Sequence, residues 1–510
     1  MGEFTHGGRK TAGPGVRPAA AQAVTGTTTA HEGILRRQSA RESAARTCAP
    51  ALPIVPVRAR GMTIEGADGR RYLDCLSGAG ALALGHNHPV VLEAIRKVID
   101  SGAPLHVSDL ATPVRDAFIT ELFRTLPPGL ADRARVRFCG PAGTDAVATA
   151  LQLVRAATGR AGVLAFTGTH HALTTGSPDA ARSASSGAQI TLLPYPQDYR
   201  CPFGIGGERG AELAARWTES VLDSPASGVP LPAGMIVEPV QGDGGVLPAP
   251  DAWLRRIRRL TADRSVPLIA DETLTGVGRT GAFWAVEHSG VTPDAMVLSA
   301  AIGGSLPLTV VVHRDDLDNS ASGTHTGTFP GNQLAMAAGT ATLGHVRENG
   351  LAEHAATLGA RMLDRLRTLA DELACVGEVR GRGLMIGVEL VDPEGGDDEG
   401  HGITGPGPTV TPDGTRGCRP RPAAPELAVA VQRECLRRGL IVDLGGPCAS
   451  VVRLFPPLTT TDGQAGAVLD RLADALQAAA RAPFAHRRAE QPRHPPRERH
   501  HPAGRTERTG

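Results

Sequence analysis

Residues 234–271 decide the fold: they read GMIVEPV (234–240), then DAWLRRIRRLTADR (251–264), then VPLIAD (266–271). The two short apolar runs are typical of buried strands, and the amphipathic segment between them is typical of a helix. A strand, a helix and a second strand in this order indicate a βαβ unit, in which the two strands lie parallel in one sheet. The sequence therefore predicts an α/β fold.

The same alternation continues on both sides of this unit. The further buried parallel strands that it predicts are VRFC (136–139), GVLAF (162–166), AMVLS (295–299) and LTVVV (308–312). Together they predict a large domain, residues 92–345, with a mostly parallel sheet. After Gly350 the alternation changes, which indicates a smaller α+β domain built from residues 46–91 and 346–481.

Three segments have compositions that disfavour a packed core. Residues 1–45 are predicted to be a disordered arm, and the Gly/Pro-rich residues 393–424 a flexible insertion. Residues 482–510 are predicted to be a basic disordered tail, since 483–510 hold seven Arg and three Glu, or 7 − 3 = +4. The His residues of that tail leave metal binding open, but a solvated tail is favoured.

Composition limits the kinds of partner and compartment. Lys+Arg 53 against Asp+Glu 52 gives a net charge of +1, so no overall field attracts nucleic acid or a membrane. The eight cysteines are scattered, and no apolar leader begins the sequence. We therefore expect reduced thiols, a cytoplasmic location and no metal site.

A glycine-rich turn follows the strand VRFC, with the sequence GPAGTD (140–145). It opens a predicted helix at residues 143–157, and free backbone N–H groups at such a point favour a phosphate. Many α/β loops look alike, so an ordinary turn remains an alternative. Gly143 and Thr144 are the candidate phosphate contacts.

Polar side chains also follow other predicted strands. Asp271 ends VPLIAD, where it could hold a protonated ring nitrogen, cap a helix or bind a metal. Glu238 ends another strand, and His170 and His171 follow GVLAF, although either His could be an ordinary loop residue. Ligands of open α/β sheets bind at the carboxyl ends of the strands. The convergence of these groups on one edge predicts a binding site there.

At this point the sequence resembles the class III aminotransferases, and within them the diaminobutyrate–2-oxoglutarate transaminases. The resemblance extends from about Arg41 to Ala480. The stretches that carry it are RRYLDCLSGAGALALGHNHPVV, FCGPAGTDAV, EPVQGDGGV, LIADETLTGVGRTGAF, DAMVLSAAIGGSLPL, GTFPGNQLAMAAG and VVRLFPPL. It implies a pyridoxal 5′-phosphate (PLP) dependent transferase fold of type I that moves an amino group between an amino acid or diamine and a 2-oxo acid.

The resemblance also implies roles for residues around the cofactor. Gly143 and Thr144 would cradle the phosphate, and Asp271 would keep the pyridine nitrogen protonated so that the ring acts as an electron sink. His170 stands where an aromatic residue usually stacks on the ring. Thr328 would reach the phosphate of a neighbouring subunit, which implies a homodimer.

Two further residues resemble the pair that switches between substrates. These are Glu238 and Arg453. Arg453 suits bidentate capture of a carboxylate such as that of 2-oxoglutarate.

The Schiff-base lysine of the family is absent. It follows the Ser of VLSKAIGGG in the family, but here the stretch is VLSAAIGGS (297–305), with Ala300 at the lysine position. Only two lysines exist in the chain, Lys10 in the predicted arm and Lys97 on an amphipathic helical stretch. Neither is expected to replace the missing amine.

Other positions around the cofactor also depart from the family. His170 replaces the aromatic residue, Ala172 a Gly, Leu274 a Gln near the phenolic oxygen, and Pro330 an Arg. A substitution made to trap a complex would leave these positions intact. Their accumulation favours natural divergence over an introduced Lys→Ala change.

Three hypotheses for the function follow. The first is an ordinary transaminase, which the missing lysine disfavours. The second is a repurposed enzyme that works without a PLP–lysine aldimine, holding any PLP non-covalently and using His170, His171 and Asp271 as acid–base groups. The third is a non-catalytic partner of an active aminotransferase.

Overall fold

The computed structural model describes residues 27–42, 52–108, 110–169, 190–318, 330–395 and 420–481. Within them the chain forms strands that are numbered in chain order. They are β1 Pro56–Arg60, β2 Thr63–Gly66, β3 Arg71–Asp74, β4 Ala134–Phe138, β5 Val163–Phe166, β6 Ile190–Leu193, β7 Gly234–Val237, β8 Val240–Gln241, β9 Leu247–Pro248, β10 Leu268–Asp271, β11 Ala295–Leu298, β12 Val310–Arg314, β13 Val376–Arg382, β14 Met385–Leu390, β15 Leu440–Ile441, β16 Asp443–Gly445 and β17 Val451–Leu454.

The α-helices of the same residues include the two predicted at residues 143–157 and 251–264, each to within one residue of its predicted bounds. They are α1 Thr27–Arg41, α2 Pro89–Asp100, α3 Pro113–Phe123, α4 Pro128–Ala131, α5 Gly143–Thr158, α6 Gly207–Asp223, α7 Asp251–Asp263, α8 Gln333–Glu348, α9 Leu351–Glu372, α10 Pro425–Arg437 and α11 Asp462–Arg481.

The central sheet has seven strands in the order β4-β12-β11-β10-β7-β5-β6. β10 pairs in parallel with both β11 and β7, as the alternation of strands and helices predicts. The prediction of a parallel strand was wrong for LTVVV, because β12 is antiparallel to β11 and to β4. Only residues 299–309 connect β11 to β12, and a parallel crossover usually needs a dozen or more residues.

One predicted disordered segment is partly helical. Residues 27–41 form α1, whereas composition assigned all of residues 1–45 to an arm. The helical stretch TTTAHEGILRRQSAR lacks proline and contains one glycine, Gly33, so averaging over 45 residues concealed a local sequence that tolerates a helix.

The two ends of the chain meet in one small sheet. Its order is β1-β2-β3-β15, and β3 pairs in parallel with β15 through Leu73 and Leu440. A second small sheet has the order β13-β14-β17-β16. The pairing of β3 with β15 agrees with assigning residues 46–91 and 346–481 to one unit, although the boundaries at residues 92 and 345 stay a prediction.

The central sheet contributes to three apolar clusters, one of which also includes residues from the carboxyl-terminal part. One apolar cluster contains Met296 of the sheet together with Leu384 and Leu472 from the carboxyl-terminal part.

Most of the predicted insertion (396–419) and the tail (482–510) lie outside the described residues. Among the helices that the structure describes, none is both long and apolar enough to cross a lipid bilayer.

Candidate active site

A cavity of about 290 Å³ opens at the carboxyl ends of β7, β10 and β11. This is the edge at which the sequence predicts a binding site. The residues that line it are Ala79, Gly143, Thr144, Val147, Glu238, Gly242, Asp243, Asp271, Thr273, Leu274, Thr275, Ala300, Asp443, Arg453 and Phe455. The structure thus brings together six residues that the sequence singled out: Gly143, Thr144, Glu238, Asp271, Ala300 and Arg453.

The amino terminus of α5 faces this cavity through its first two residues, Gly143 and Thr144. The carboxylate of Asp145 turns back and accepts a hydrogen bond from the backbone N–H of Ala142, at 3.2 Å. A β-carbon at residue 143 would lie 3.1 Å from the Thr273 methyl group, so glycine lets the backbone come close to the opposite wall. Free N–H groups and the helix dipole make this end suitable for an anion.

Asp271 occupies the end of β10 and is 7% exposed. Its carboxylate accepts a hydrogen bond from the backbone N–H of Thr273 at 3.0 Å, so it caps the turn after β10 and not a helix. The same side chain lines the cavity, so capping and cofactor contact are compatible.

Glu272, the next residue, is directed into the protein interior. It accepts hydrogen bonds from the hydroxyl of Thr275 and, at 2.9 Å, from the backbone N–H of Val286. Burial raises the pKa of Glu272 to about 7. The carboxylate therefore helps to hold the turn after β10 in place.

Thr273 was missed by the reasoning from sequence. Its hydroxyl oxygen is buried and has no hydrogen-bond partner among the described residues, although the residue lines the cavity. A buried hydroxyl without a partner is costly unless a ligand completes it. Its position directly after the Asp271–Glu272 pair at a strand end was the available signal.

Ala300 lies immediately beyond β11, on the wall of the cavity. It begins a single 3₁₀ turn, Ala300–Gly303, and has a φ of +51°. Such left-handed backbone at a residue other than glycine costs about 1–3 kcal/mol and is concentrated at functional sites. Residue 300 therefore has an unusual backbone conformation, but its side chain is only a methyl group.

Lys97 lies on α2 with 74% of its side chain exposed. Its ammonium group pairs with Glu93 at 2.8 Å, one helical turn away. This agrees with the expected solvated lysine, and Lys10 lies outside the described residues. Lys97 therefore forms a surface ion pair and does not line the cavity.

Arg453 lies between two carboxylates at the other end of the cavity. Its Nη1 donates to Asp243 at 2.7 Å and to the carbonyl oxygen of Gly242 at 3.0 Å, while Nη2 donates to Asp443. Its Nε is buried and has no hydrogen-bond partner among the described residues. Burial acts to lower the pKa of Arg453, but the charges of Asp443 and Asp243 outweigh it and raise that pKa above its ordinary value.

Neither Asp243 nor Asp443 was singled out from the sequence as a binding residue. Asp443 faces Arg453 because β16 and β17 are antiparallel and pair these two residues directly. Both strands are short, so their register is not evident from the sequence. Asp243 lies in the loop 242–245, whose other three residues are glycines, so its neighbours in the sequence indicate no particular contact.

Hydrogen bonds from buried residues fix the segment that contains Glu238. The buried hydroxyl of Tyr195 donates to the carbonyl oxygen of Glu238 at 2.9 Å, and the backbone N–H of Gly242 donates to the Glu238 carboxylate at 3.2 Å. Gln241 donates to the carbonyl oxygen of Thr167 at 2.9 Å. These contacts fix where the acidic side chains enter the cavity.

Leu274 forms an apolar wall between the two ends. It packs in a cluster with Phe455 and Met385. A side chain at Gly80 or Gly242 would overlap it, so both glycines leave room for Leu274. The remaining predicted site residues, His170, His171 and Thr328, lie outside the described residues.

The fold is shared with solved transaminases. It superposes on the (S)-enantioselective omega-transaminase from Thermomicrobium roseum with a TM-score of 0.73 at 25% identity, over 88% of this chain and 98% of that one. For an amine transaminase from an uncultivated Pseudomonas species the TM-score is 0.72 at 28% identity, over 86% and 98%. The fold and the cavity at its strand ends therefore define a PLP-dependent transferase of fold type I.

The family model described as Aminotransferase class-III matches residues 44–476, and the chain belongs to that family. It is 47% identical over 453 residues to the diaminobutyrate–2-oxoglutarate aminotransferase of Rhizobium meliloti (strain 1021), covering 87% of this chain and 92% of the relative. The enzyme of the same name from Haemophilus influenzae is 41% identical over 430 residues, covering 82% and 90%.

Proposed function

We propose that this class III aminotransferase binds PLP, or its amine form, without a covalent bond and does not perform ordinary lysine-dependent transamination. The observation that carries the proposal is the methyl group of Ala300 on the cavity wall, where the family has its lysine. The cavity is formed and Ala300 lines it, but residue 300 carries no amine.

The residues present fit the cofactor. Gly143 and Thr144 offer backbone N–H groups at the start of α5, and Asp271 offers a carboxylate at the end of β10. The Thr273 hydroxyl is a buried donor without a partner among the described residues. When bound, PLP supplies an electron sink for an amino acid attached to it. These residues would hold its phosphate and keep its ring nitrogen protonated.

The missing step is proton transfer. A positioned acid or base contributes about 10²–10⁴-fold to a rate, and Ala300 has no atom that can carry a proton. Lys97 is paired with Glu93 on the surface and cannot take over this task. His170 and His171 stay predicted acid–base candidates for a slower or different reaction.

The substrates that we propose follow those named for the relatives. An amino acid with a second amino group, such as 2,4-diaminobutyrate, and a 2-oxo acid, such as 2-oxoglutarate, are the expected ligands. Arg453 is the cation that the structure offers to a carboxylate. We further propose a homodimer, in which Thr328 approaches the neighbouring site, and a cytoplasmic location.

Two measurements test the cofactor proposal. After loading with PLP and removal of the excess, the folded protein should retain the cofactor. After borohydride treatment, which reduces an uncondensed aldehyde to the alcohol, denaturation should release all of the cofactor as pyridoxine 5′-phosphate. A covalent adduct on the chain, located by peptide mass spectrometry, would contradict the proposal.

Titration with pyridoxamine 5′-phosphate, followed by protein fluorescence, then tests the cradle. Thr273→Val should weaken binding about tenfold, because it removes a hydrogen bond to the ligand, and Thr273→Ser should restore it. The unliganded Thr273→Val protein should lose little stability, since the hydroxyl has no partner among the described residues. Unchanged binding in Thr273→Val would place the ligand elsewhere.

A further inference from the structure

Part of the cavity wall is a turn with left-handed backbone. Its four residues all have a φ between +48° and +85°: Ser77, Gly78, Ala79 and Gly80. Left-handed backbone at residues other than glycine, such as Ser77 and Ala79, is unfavourable and persists only where neighbouring contacts hold it. Ala79 lines the cavity, and a β-carbon at Gly80 would lie 2.5 Å from Cδ1 of Leu274. The turn therefore packs directly against the apolar wall that Leu274 forms.

Asp74 holds the start of this turn. It ends β3, and its nearly buried carboxylate accepts through Oδ1 from the backbone N–H groups of Leu76 at 2.9 Å and Ser77 at 3.0 Å. The other oxygen, Oδ2, lies 2.8 Å from Nε2 of His86. Because a carboxylate oxygen only accepts, the imidazole N–H is the donor. One carboxylate thus joins the turn to His86.

His86 is itself anchored to the small sheet that contains β3. Its backbone N–H donates to the carbonyl oxygen of Gly61 at 2.8 Å, and its carbonyl oxygen accepts from the N–H of Gly61 at 2.9 Å. Gly61 lies directly after β1. The contact between Asp74 and His86 therefore closes residues 75–85 into a loop with two fixed ends, and the turn at residues 77–80 is the part that reaches the cavity.

We infer that Asp74 and His86 are positioning residues, whose contact holds the turn 77–80 against Leu274 and so sets the width of the cavity. Neither of them is among the described residues that line the cavity, so they act on a ligand only through the turn. The inference goes beyond the identity of the cofactor, and it rests on the proposed function only in that a ligand occupies this cavity.

Loss of the imidazole would reach the cavity in two steps. Oδ2 of Asp74 would become a nearly buried acceptor without its donor, so the carboxylate would turn toward water. The N–H groups of Leu76 and Ser77 would then lose their acceptor, and the left-handed turn would relax toward ordinary backbone. Ala79 would move, and Leu274 would lose the surface on which it packs.

Titration with pyridoxamine 5′-phosphate, followed by protein fluorescence, tests the inference. His86→Leu removes the donor and should weaken binding about tenfold. His86→Gln offers an amide donor in place of the imidazole and should restore most of the affinity. Asp74→Asn keeps an acceptor for the turn but loses the charge, so its affinity should lie between those of His86→Leu and the unmodified protein.

The matched control is Arg258→Leu, at the amino end of β10. Its partner Asp294 is a nearly buried carboxylate that also accepts from a backbone N–H, that of Leu268 at 2.8 Å. Asp294 and Asp74 are 4% and 5% exposed, and their partners Arg258 and His86 are 25% and 22% exposed. The cavity opens at the opposite end of β10. Arg258→Leu should therefore lower the free energy of unfolding without changing the affinity for pyridoxamine 5′-phosphate.

Hydrogen exchange in the absence of ligand gives a second readout. Two amides of the loop are protected by hydrogen bonds: Gly80 donates to Leu76 at 3.1 Å, and Leu82 donates to Ser77 at 3.0 Å. Peptides covering residues 76–84 should exchange faster in His86→Leu and, to a smaller extent, in Asp74→Asn. In Arg258→Leu they should exchange as in the unmodified protein. Should His86→Leu not fold, unchanged exchange of these peptides in Asp74→Asn would refute the inference.

The remaining outcomes separate this inference from the proposed cofactor site. Equal loss of affinity in His86→Leu and Arg258→Leu, no rescue by His86→Gln, or unchanged exchange of residues 76–84 in His86→Leu would overturn the positioning role and leave the cofactor proposal standing. If pyridoxamine 5′-phosphate does not bind to the unmodified protein, the cofactor proposal fails. Faster exchange confined to residues 76–84 in His86→Leu would still support the positioning role.

Discussion

The two ends of the cavity differ in what they retain. At the Arg453 end, carboxylates on a loop and on β16 enclose a guanidinium group, which is the cation that we propose for a substrate carboxylate. At the Ala300 end, the left-handed backbone and the start of α5 are present, but the amine that would act on the cofactor is absent. Under the proposed function, binding and proton transfer are separate properties of this fold, and one side chain removes the second without disturbing the first.

Ala300→Lys should restore an amine at the Ala300 end of the cavity. Covalent attachment of the cofactor to this lysine is the largest effect that we expect. Because the β-carbon of Ala300 already lies on the cavity wall, a lysine there adds a flexible stem without a new backbone conformation. After incubation with PLP and borohydride, we expect about one covalently fixed cofactor per chain, located on residue 300 by mass spectrometry. Turnover need not return, because Leu274 offers no hydrogen bond to the ring.

The control for that experiment is Ala262→Lys, on the exposed face of α7. It adds the same amine away from the cavity and should fix no more cofactor than the unmodified protein. If both variants were labelled equally, the Ala300 position would not be the Schiff-base position.

Arg453→Ala should disrupt the ion pairs at the Arg453 end of the cavity. It removes the cation paired with Asp443, whose side chain is 16% exposed, and we expect it to lower the free energy of unfolding by about 3–5 kcal/mol. Arg361→Ala breaks an exposed pair with Asp462 and should change it by less than about 1 kcal/mol. Urea denaturation measures both, and equal losses would contradict the assignment of Arg453 to a buried network.

A smaller, pH-dependent effect on the free energy of unfolding is expected from the buried carboxyl group of Glu272. The pKa of Glu272 is raised by burial from 4.5 to about 7, so the folded protein binds this proton more tightly than the unfolded chain. Its contribution to stability is therefore largest below pH 4.5 and falls as the pH rises toward 7. The free energy of unfolding should therefore be compared between the unmodified protein and Glu272→Gln. The difference between them should change by on the order of 3 kcal/mol from pH 4.5 to pH 8, to the disadvantage of the unmodified protein.

The control for this pH series is Glu372→Gln, at the exposed carboxyl end of α9. Its free energy of unfolding should follow that of the unmodified protein across the same pH range. A difference between the unmodified protein and Glu272→Gln that does not change with pH would show that Glu272 is ionised throughout.

The sequence predicted the parts of the molecule that depend on local pattern. β10 and α7 follow directly from their apolar spacing, and the resemblance to the family placed Gly143, Asp271 and Ala300 around one site. The predicted direction of β12 was wrong, because a five-residue apolar run does not encode whether a strand is parallel or antiparallel to its neighbours. The pairing of Arg453 with Asp443 was missed, because it depends on the register of two short strands and not on their composition.

The central claim, that Ala300 leaves a cofactor site without ordinary turnover, is tested most directly by one assay. The unmodified protein is incubated with saturating PLP, 2,4-diaminobutyrate and 2-oxoglutarate, and glutamate is measured over time. We expect no glutamate, or formation slower by at least about 10²-fold than an ordinary enzyme, as the loss of positioned proton transfer implies. Turnover at about 1–10³ per second would contradict the account.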